Sequence, residues 1–402
     1  MRDLEWFQNL NQDAETKIVL LVLDGLGGLP AVTEGLTELE KANTPNLDDL
    51  AFQGICGLHT PVAPGITPGS GPSHLALFGY DPLQYQVGRG VLSALGIDFD
   101  LKHKDVAARG NFCTLGEQGL INDRRAGRIS TDKNLELCAL LQEIKLPGIE
   151  IFVETVKEYR LLLVLRAEGL GADLADTDPQ EVGMKPNPPQ ALKPGSNKTA
   201  ELLRQFLDQA QQLLADHHPA NMVLLRGFAK KPVWPSFEDV FGLRSAAIAG
   251  YPMYRGVAKL VGMEALEAMD DVGMEFQTVR ERWDDFDFFF LHIKGIDSAA
   301  EDGDFERKVA LIEEVDAYIP ELLNLNPDAF IVTGDHSTPS TLGSHSWHPV
   351  PVVLWSKHCR PDDVKQFGER ACIHGGLGPR LHAVDLLPIA MANAQRLKKF
   401  GA

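Results

Sequence analysis

The sequence has few cysteines, a deficit of positive charge and no long hydrophobic run. Its five cysteines are scattered over 402 residues and never occur in CxxC spacing, which argues against a disulfide framework or a thiolate zinc site. We therefore expect free thiols in a reducing, cytoplasmic compartment. The longest apolar runs, residues 18–23 and 161–165, are far shorter than the roughly 20 residues that cross a bilayer, and the polar, acidic amino terminus does not resemble a secretory signal.

Acidic residues outnumber basic ones by 56 to 38, and the formal net charge is -18. Nucleic acid and anionic lipid are bound mainly through Lys and Arg that neutralise phosphates, so neither nucleic acid nor a membrane is expected as a partner. A small anionic substrate is compatible with this charge, because arginines inside a cleft act locally. A homo-oligomer is compatible with the composition but not indicated by it.

The most informative stretch is residues 331–338, IVTGDHST, in which an apolar run ends in Asp335, His336 and two hydroxyls. A buried strand of an α/β sheet delivers polar side chains to the crevice at its carboxyl end in this way. A further imidazole, His345, follows nine residues after His336. Carboxylate and imidazole donors suit a divalent cation such as Mn²⁺ or Zn²⁺. The alternative is a turn in which Asp335 caps a helix and the histidines have no chemical role.

Two earlier segments favour the metal hypothesis. Asp24 follows the apolar run 18–23 and precedes Gly25, a place that suits either a ligand or a turn-forming Asp. Ser70 lies between glycines in the segment 64–75, where an accessible hydroxyl at a helix start suits a nucleophile that takes a phosphate. The alternative is a Gly/Pro/Ser loop without chemistry, and the lipase pattern Gly-x-Ser-x-Gly is absent.

These motifs, taken together and in order, resemble the archaeal-type cofactor-independent phosphoglycerate mutases of the alkaline phosphatase superfamily. The motifs are LDG at 23–25, TPNL at 44–47, TPGSGP at 67–72 with FGYDP at 78–82, HIK at 292–294 with Asp304, and TGDHST at 333–338. Each is weak alone, but they span nearly the whole chain. The resemblance implies an α/β fold: an alkaline-phosphatase-like core, residues 1–87 and 264–402, with a mainly parallel sheet between helices. Residues 88–263 would form an inserted smaller α/β domain that binds substrate.

The resemblance also implies two divalent ions, expected to be Mn²⁺, with Mg²⁺ or Zn²⁺ as alternatives. The ligands implied for one ion are Asp24, Ser70, Asp335 and His336, and those for the other are Asp297, Glu301 and His345. Glu301 departs from the family pattern, which has His at this place. On a helix, Asp297 and Glu301 would share one face because they lie four residues apart, but a helix-capping role for Glu301 is the alternative.

The implied activity is the interconversion of 3-phosphoglycerate and 2-phosphoglycerate through a phosphoserine, a step of glycolysis and gluconeogenesis. The second hypothesis is a metal-dependent phosphohydrolase or phosphotransferase of the same superfamily that acts on another small phosphorylated metabolite, for example a homoserine kinase-like enzyme. The third is a noncatalytic, metal-stabilised binding protein. The inserted segment distinguishes the first two, because their metal sites would be identical.

Positive residues of the inserted segment are candidates for binding substrate. Guanidinium groups grip phosphate and carboxylate in fork geometry, and a phosphoglycerate carries both anions. The candidates for substrate binding are Arg89, Arg128 and Arg226, with Lys259 as a weaker one and Asp178 as a possible acid/base in the turn 176–179. An Asx turn explains Asp178 equally well. The alternative for any of these arginines is a solvated surface charge, which is favoured more for Arg124 and Arg125 than for Arg226.

Overall fold

The computed structural model describes residues 4–31, 35–268 and 271–401. Its strands are β1 (Ile18–Leu23), β2 (Ile55–Thr60), β3 (Asp105–Leu115), β4 (Ile121–Asp123), β5 (Glu150–Lys157), β6 (Arg160–Arg166), β7 (Met222–Ala229), β8 (Ser245–Ala249), β9 (Glu264–Leu266), β10 (Phe288–Ile293), β11 (Ala329–Thr333), β12 (Val350–Trp355) and β13 (Gly378–His382). Its α-helices are α1 (Leu4–Leu10), α2 (Glu38–Lys41), α3 (Pro45–Gln53), α4 (Ser70–Leu77), α5 (Arg89–Gly96), α6 (Thr131–Leu141), α7 (Asn197–Leu214), α8 (Phe237–Phe241), α9 (Pro252–Leu260), α10 (Val272–Glu281), α11 (Gly295–Glu301), α12 (Phe305–Leu323), α13 (Glu369–Cys372) and α14 (Leu386–Asn393). The chain divides into two compact units, Met1–Gln86 with Trp234–Ala402, and Val87–Val233.

The first unit contains an eight-stranded sheet in the order β13-β2-β12-β11-β1-β10-β8-β9. Strands β1, β8, β10 and β11 run parallel, and every residue of β1 is buried. Val22 of β1 is in register with His292 of β10 and with Thr333 of β11. The carboxyl ends of these three neighbouring strands therefore lie at one level, and the polar residues that follow them meet at one edge of the sheet.

Helices cover both faces of this sheet. Phe289 and Leu291 of β10 pack in one apolar cluster with residues of α10 and α12. Phe290, which points to the opposite face, has its ring centroid 4.8 Å from that of Phe78 at the end of α4. Successive residues of a strand alternate between faces, so the sheet lies between two helical layers. The predicted α/β core with a mainly parallel sheet between helices is confirmed.

The structure corrects two predictions for this unit. The inserted domain was predicted to end at residue 263, but it ends at Val233, and β8, within the predicted insert, pairs with β10 in the large sheet. A short apolar run has the same appearance in either sheet, so the sequence did not locate this boundary. The prolines in residues 349–355 predict an edge or terminal strand, yet β12 pairs with β11 on one side and β2 on the other.

The second unit contains a five-stranded antiparallel sheet, in which β4-β3-β6-β5 are consecutive and β7 pairs with β3. Its core joins strand residues such as Leu163 and Leu224 to Leu137 of α6 and to Leu203 and Phe206 of α7. This unit thus combines a β-sheet with α-helices. Among the residues that the structure describes in either unit, no helix is long and apolar enough to span a bilayer.

Candidate metal centre and nucleophile

Buried carboxylates and imidazoles from distant segments meet at the carboxyl ends of β1, β10 and β11. Ligand atoms of Asp24, Asp335 and His336 lie within 4.8 Å of one another, and so do those of Asp297, His336 and His345. Asp24 directly follows β1, Asp335 and His336 follow β11, and Asp297 lies in the first turn of α11 after β10. The in-register ends of three parallel strands therefore bring together residues that are more than 300 positions apart in sequence.

The donor set fits divalent cations. Asp24 Oδ1 and Asp335 Oδ2 are buried oxygens without a hydrogen-bond partner in the part of the chain that the structure describes. A buried anionic oxygen without a compensating partner is costly, and mixed carboxylate and imidazole donors suit Mn²⁺, Zn²⁺ or Mg²⁺. Asp24 and Asp335 belong to one of two overlapping groups of candidate ligands, which share His336.

The electrostatics of the cluster show the same crowding of negative charge. Burial, together with the charges of Asp24 and Asp297, raises the pKa of Asp335 well above its usual value. Burial alone would raise the pKa of Asp24 as well, but the ammonium of Lys294 and the imidazole of His292 lower it well below its usual value. The cluster thus needs positive charge, and Lys294 supplies part of it by contacting both Asp24 and Asp297.

Ser70 lies beside this cluster, at the first residue of α4. Its Oγ is 3.1 Å from His336 Nε2, and its carbonyl oxygen is 2.8 Å from His74 Nδ1. Gly69 occupies the N-cap position, so the hydroxyl lies at the amino end of the helix, where the helix dipole favours an anion. The predicted nucleophile therefore lies beside His336, which belongs to both groups of candidate ligands.

Gly25 permits this close approach of segments. Its backbone has a φ of +68°, and a Cβ at this position would lie 2.8 Å from both Asp297 Oδ1 and Thr338 Oγ1. Any other residue would combine a disfavoured backbone conformation with a steric clash. The Asp24-Gly25 pair of the sequence thus reflects both a ligand position and the space required by its neighbours.

The group of candidate ligands around Asp297 does not include the predicted ligand Glu301. Asp297 and Glu301 lie on one helix, α11, as predicted. His345 Nε2 is 3.9 Å from Asp297 Oδ1, and the His345 ring stacks on that of His336 with centroids 3.6 Å apart. Glu301, at the last residue of α11, is exposed and belongs to neither ligand group identified among the described residues. Its role as a ligand stays a prediction.

Four side chains at the site were missed by sequence reasoning. Lys294, His292 and Tyr254 contact Asp24, and His74 Nδ1 lies 3.4 Å from Asp335 Oδ2. The Tyr254 ring stacks on that of His292 with centroids 3.7 Å apart. His292 ends an apolar strand and His74 is one helical turn after Ser70, which are weak signals. Tyr254 carries no local signal, because only the fold brings α9 to β1.

His59 is hydrogen-bonded to the two residues that precede Asp335. Its Nε2 is 2.9 Å from Thr333 Oγ1 and 3.0 Å from the carbonyl oxygen of Gly334. Because the Thr333 hydroxyl donates to the carbonyl of Pro351 at 2.7 Å, it accepts from His59, whose Nε2 must carry the proton. Burial lowers the pKa of His59 to about 4, so the ring is neutral in the fold at neutral pH.

Replacing His59 by glutamine is expected to reduce the pH dependence of stability. The unfolded chain protonates this histidine below about pH 6.5, whereas the folded chain protonates it near pH 4. The neutral His59 ring therefore makes its full contribution to the free energy of unfolding above pH 6.5. This contribution falls by about 3 kcal/mol as the pH decreases from about 6.5 to about 4. Urea unfolding at pH 7.5 and 4.5 should show the difference between wild type and His59→Gln shrinking at the lower pH. His103→Gln, at an exposed position, is the control, and a pH-independent difference would contradict the assignment.

In the second unit, the predicted Arg226 and Asp178 lie together with Arg124. Arg124 donates from Nε and Nη2 to the Asp178 carboxylate at 2.9 and 2.7 Å, and Arg226 Nη1 lies 3.7 Å from Asp178 Oδ2. Arg124 is therefore part of this cluster, which corrects its expected role as a solvated surface charge. Burial alone would raise the pKa of Asp178, but hydrogen bonds from Arg124 and the Gln180 N–H lower it.

The remaining predicted substrate residues are more scattered. Arg89 begins α5, and a Cβ on Gly227, next to Arg226, would lie 2.6 Å from the Arg89 nitrogen. Arg89 thus lies near the Arg226 strand end. Arg128 is exposed in the 3-10 turn Ala126–Arg128. Lys259 belongs to the first unit, near the end of α9, and is partly exposed.

Comparison with known proteins gives a consistent result. A family model described as 2,3-bisphosphoglycerate-independent phosphoglycerate mutase matches residues 51–221. Proteins named as probable members, from Thermotoga sp. and Thermus thermophilus, are 48% and 47% identical to this chain over 400 residues, covering 99% and 98% of each chain. Among solved structures, a Pyrococcus horikoshii protein has a TM-score of 0.84 at 32% identity, covering 97% of this chain and all of that one. A cofactor-independent phosphoglycerate mutase from Thermoplasma acidophilum has a TM-score of 0.69 at 30% identity, covering 94% of this chain and all of that one.

Proposed function

This chain belongs to the 2,3-bisphosphoglycerate-independent phosphoglycerate mutases, and we propose that it interconverts 3-phosphoglycerate and 2-phosphoglycerate through a phosphoserine at Ser70. One observation carries the chemical part of the proposal. The Ser70 hydroxyl lies 3.1 Å from His336 Nε2, inside a buried cluster of carboxylates and imidazoles. A hydroxyl in that place is suited to nucleophilic attack on a phosphoryl group.

Two divalent ions are part of the proposal, with Mn²⁺ as the expected metal and Mg²⁺ or Zn²⁺ as alternatives. Asp24, Ser70, Asp335 and His336 would hold one ion, and Asp297, Glu301 and His345 the other. The two three-residue groups of ligand atoms and the unpaired buried carboxylate oxygens support this arrangement. When bound, the ions would supply positive charge that lowers the pKa of the serine hydroxyl and offsets the charge of the phosphoryl oxygens.

The proposed reaction consists of two transfers of the same phosphoryl group. Ser70 Oγ forms a bond to phosphorus while the bond from phosphorus to the 3-oxygen of the substrate breaks, and a proton passes from the serine to that oxygen. The bound glycerate then presents its 2-hydroxyl, which takes the phosphoryl group back and returns the proton to Ser70. Atoms and charge balance without a second phosphorylated cofactor, as the family description states for its members.

Substrate anions are proposed to bind through the second unit's arginines, Arg89, Arg128 and Arg226, together with Arg124. Lys259 of the first unit stays a weaker, separate prediction. The cluster around Asp178 supports this for Arg124 and Arg226, because a carboxylate that fixes guanidinium groups in place prepares them to bind an anion. With its pKa lowered, Asp178 is a weak base. We therefore favour a positioning role for Asp178 over the acid/base role that its turn had suggested.

A cytoplasmic location is also proposed. The five cysteines are free, and four of them are buried. Free thiols in this number are typical of a reducing compartment.

An enolase-coupled assay tests the mutase activity directly. The full chain is incubated with 3-phosphoglycerate and Mn²⁺, Mg²⁺ or Zn²⁺ in turn, without added 2,3-bisphosphoglycerate, and enolase reports 2-phosphoglycerate. We expect turnover that stops on chelation and returns when metal is added. Release of inorganic phosphate without 2-phosphoglycerate would instead support the phosphohydrolase alternative, and phosphate transfer to homoserine would support the phosphotransferase.

Replacing Glu301 by alanine is expected to lower the binding affinity for one ion more than for the other. If Glu301 turns inward when metal is present, its loss removes an oxygen ligand from the Asp297 group alone, and the affinity there should fall by at least about 10-fold. Calorimetric titration with Mn²⁺ resolves the two affinities. Asp302→Ala is the matched control, since Asp302 is an exposed neighbouring acid. Unchanged occupancy of both positions would show that Glu301 is not a ligand.

A further inference from the structure

Thr338 lies between the two groups of candidate ligands. Its hydroxyl oxygen is 2.8 Å from Asp297 Oδ1 and 2.9 Å from His336 Nδ1, and the residue is completely buried. Asp297 belongs to one group, and His336 is shared by both. A single hydroxyl therefore contacts ligands on both sides of the site, although it is not itself placed to bind an ion.

The directions of these hydrogen bonds follow from the chemistry of the partners. An ionised carboxylate only accepts, so the Thr338 hydroxyl donates to Asp297 Oδ1 and its lone pair accepts from the Nδ1–H of His336. The free lone pair of the imidazole is then on Nε2. That nitrogen lies 3.2 Å from Asp335 Oδ2 and 3.1 Å from Ser70 Oγ. Thr338 thus fixes the histidine tautomer that presents a lone pair to the ligand cluster.

A buried lysine holds Thr338 in this position. Lys308, on α12, donates from Nζ to the carbonyl oxygen of Thr338 at 2.9 Å and to that of Gly27 at 3.1 Å. Lys308 is 0% exposed, and its Nζ is 3.7 Å from Glu38 Oε1, which also accepts from the Ser340 N–H at 2.8 Å. The loops that follow β1 and β11 are therefore tied together directly behind the site.

We propose that Thr338, held by Lys308, couples the two metal positions. The inference rests on the proposed two-metal site and goes beyond it, because it assigns a positioning residue that acts through Asp297 and His336. An ion bound at His336 Nε2 favours the Nδ1–H tautomer, which keeps the Thr338 O–H directed at Asp297 and so orients that carboxylate for the other ion. Coupling between two binding sites is reciprocal, so each ion strengthens the binding of the other.

Calorimetric titration of the full-length chain with Mn²⁺ tests this coupling. Thr338→Val removes the hydroxyl with little change in shape, and Thr338→Ser retains it. We expect wild type and Thr338→Ser to bind two ions, with the second bound more tightly after the first. Thr338→Val should lose about 10- to 100-fold in affinity, as is usual when a group that orients metal ligands is removed, and the two binding events should become independent.

The possible outcomes separate this inference from the function on which it rests. Wild type that binds fewer than two ions would refute the two-metal site itself. Two ions bound by wild type and by Thr338→Val with the same affinities and coupling would refute the role of Thr338 alone. If Thr338→Val does not fold, ¹⁵N-histidine NMR of wild type gives the answer, with His336 assigned by its absence in His336→Asn. Protonation of His336 at Nδ1 with Mg²⁺ bound is expected, and protonation at Nε2 would overturn the proposal.

Discussion

Replacing Ser70 by alanine is expected to abolish mutase activity, lowering kcat by on the order of 10⁴-fold or more, as loss of a covalent nucleophile does in other enzymes. The other hydroxyl of the same helix, that of Ser73, is not expected to substitute for it. Ser73, one turn later on α4, is buried and donates to the carbonyl of Gly69 at 3.1 Å. The Ser70 hydroxyl, by contrast, lies at the amino end of the helix beside His336.

Two measurements check the effect of this change. The enolase-coupled assay gives the rate, and mass spectrometry after incubation with 3-phosphoglycerate shows whether a phosphoserine forms at residue 70. Ser73→Ala is the matched control, because it removes a hydroxyl from the same helix, and it should change activity by only a few-fold. Persistent turnover in Ser70→Ala, or a phosphoserine elsewhere in the chain, would mean that the nucleophile has been assigned wrongly.

Asp335→Asn is expected to have opposite effects on metal binding and on the stability of the metal-free protein. The substitution retains an oxygen that accepts from the Gly25 N–H, now bonded to Asp335 Oδ1 at 3.1 Å, but it removes the negative charge that an ion requires. Mn²⁺ affinity of the Asp24 group should fall by more than about 100-fold, and mutase activity should fall with it.

Stability of the metal-free protein should instead increase at neutral pH. Burial and the charges of Asp24 and Asp297 raise the pKa of Asp335. A carboxyl group whose pKa is raised by folding stabilises the folded state at low pH. This contribution is lost as the pH rises through the pKa of the group in the folded state. The neutral amide of Asp335→Asn does not ionise, so this loss disappears and the free energy of unfolding at pH 7.5 should exceed that of wild type. Both are measured with chelator present.

Asp316→Asn provides a control for which the opposite results are expected, namely lower stability and unchanged metal binding. Asp316 is buried outside the site and accepts from the backbone N–H of Leu47 at 2.7 Å at the start of α3. Removal of its charge should lower stability by about 1 kcal/mol and leave Mn²⁺ binding unchanged. If Asp335→Asn lost stability in the same way as Asp316→Asn while retaining both ions, Asp335 would be a structural residue and not a ligand.

Much of the fold was predictable because its central strands are buried on both faces. Such strands are continuous apolar runs, and the polar residue at each end marks where the run leaves the core. Residues 18–23 and the apolar start of the stretch 331–338 were recognisable for this reason. The limits of the insert were not, since Ser245–Ala249 could belong to either sheet until its pairing with β10 was known.

The candidate site was predictable to the extent that its residues form local motifs. Asp24, Ser70, Asp335, His336 and His345 each occur in a short pattern of turn residues and donors, and the structure brings them together. Lys294 was part of a recognised motif without an assigned role, and Arg124 was expected to be solvated. In both cases the partner that gives the residue its role, Asp24 for Lys294 and Asp178 for Arg124, comes from a separate segment of the chain.

The sequence by itself determined the family and the fold class, and it predicted which hydroxyl, carboxylates and imidazoles would carry the chemistry, because these depend on residue type and local spacing. Tertiary structure alone decided where the insert ends and that Glu301 lies outside both ligand groups of the described residues. It also decided that Thr338 is hydrogen-bonded to Asp297 and that Lys308 is hydrogen-bonded to Thr338. Those facts depend on strand register and on hydrogen bonds between segments that are separated in the sequence, and no local pattern encodes either of them.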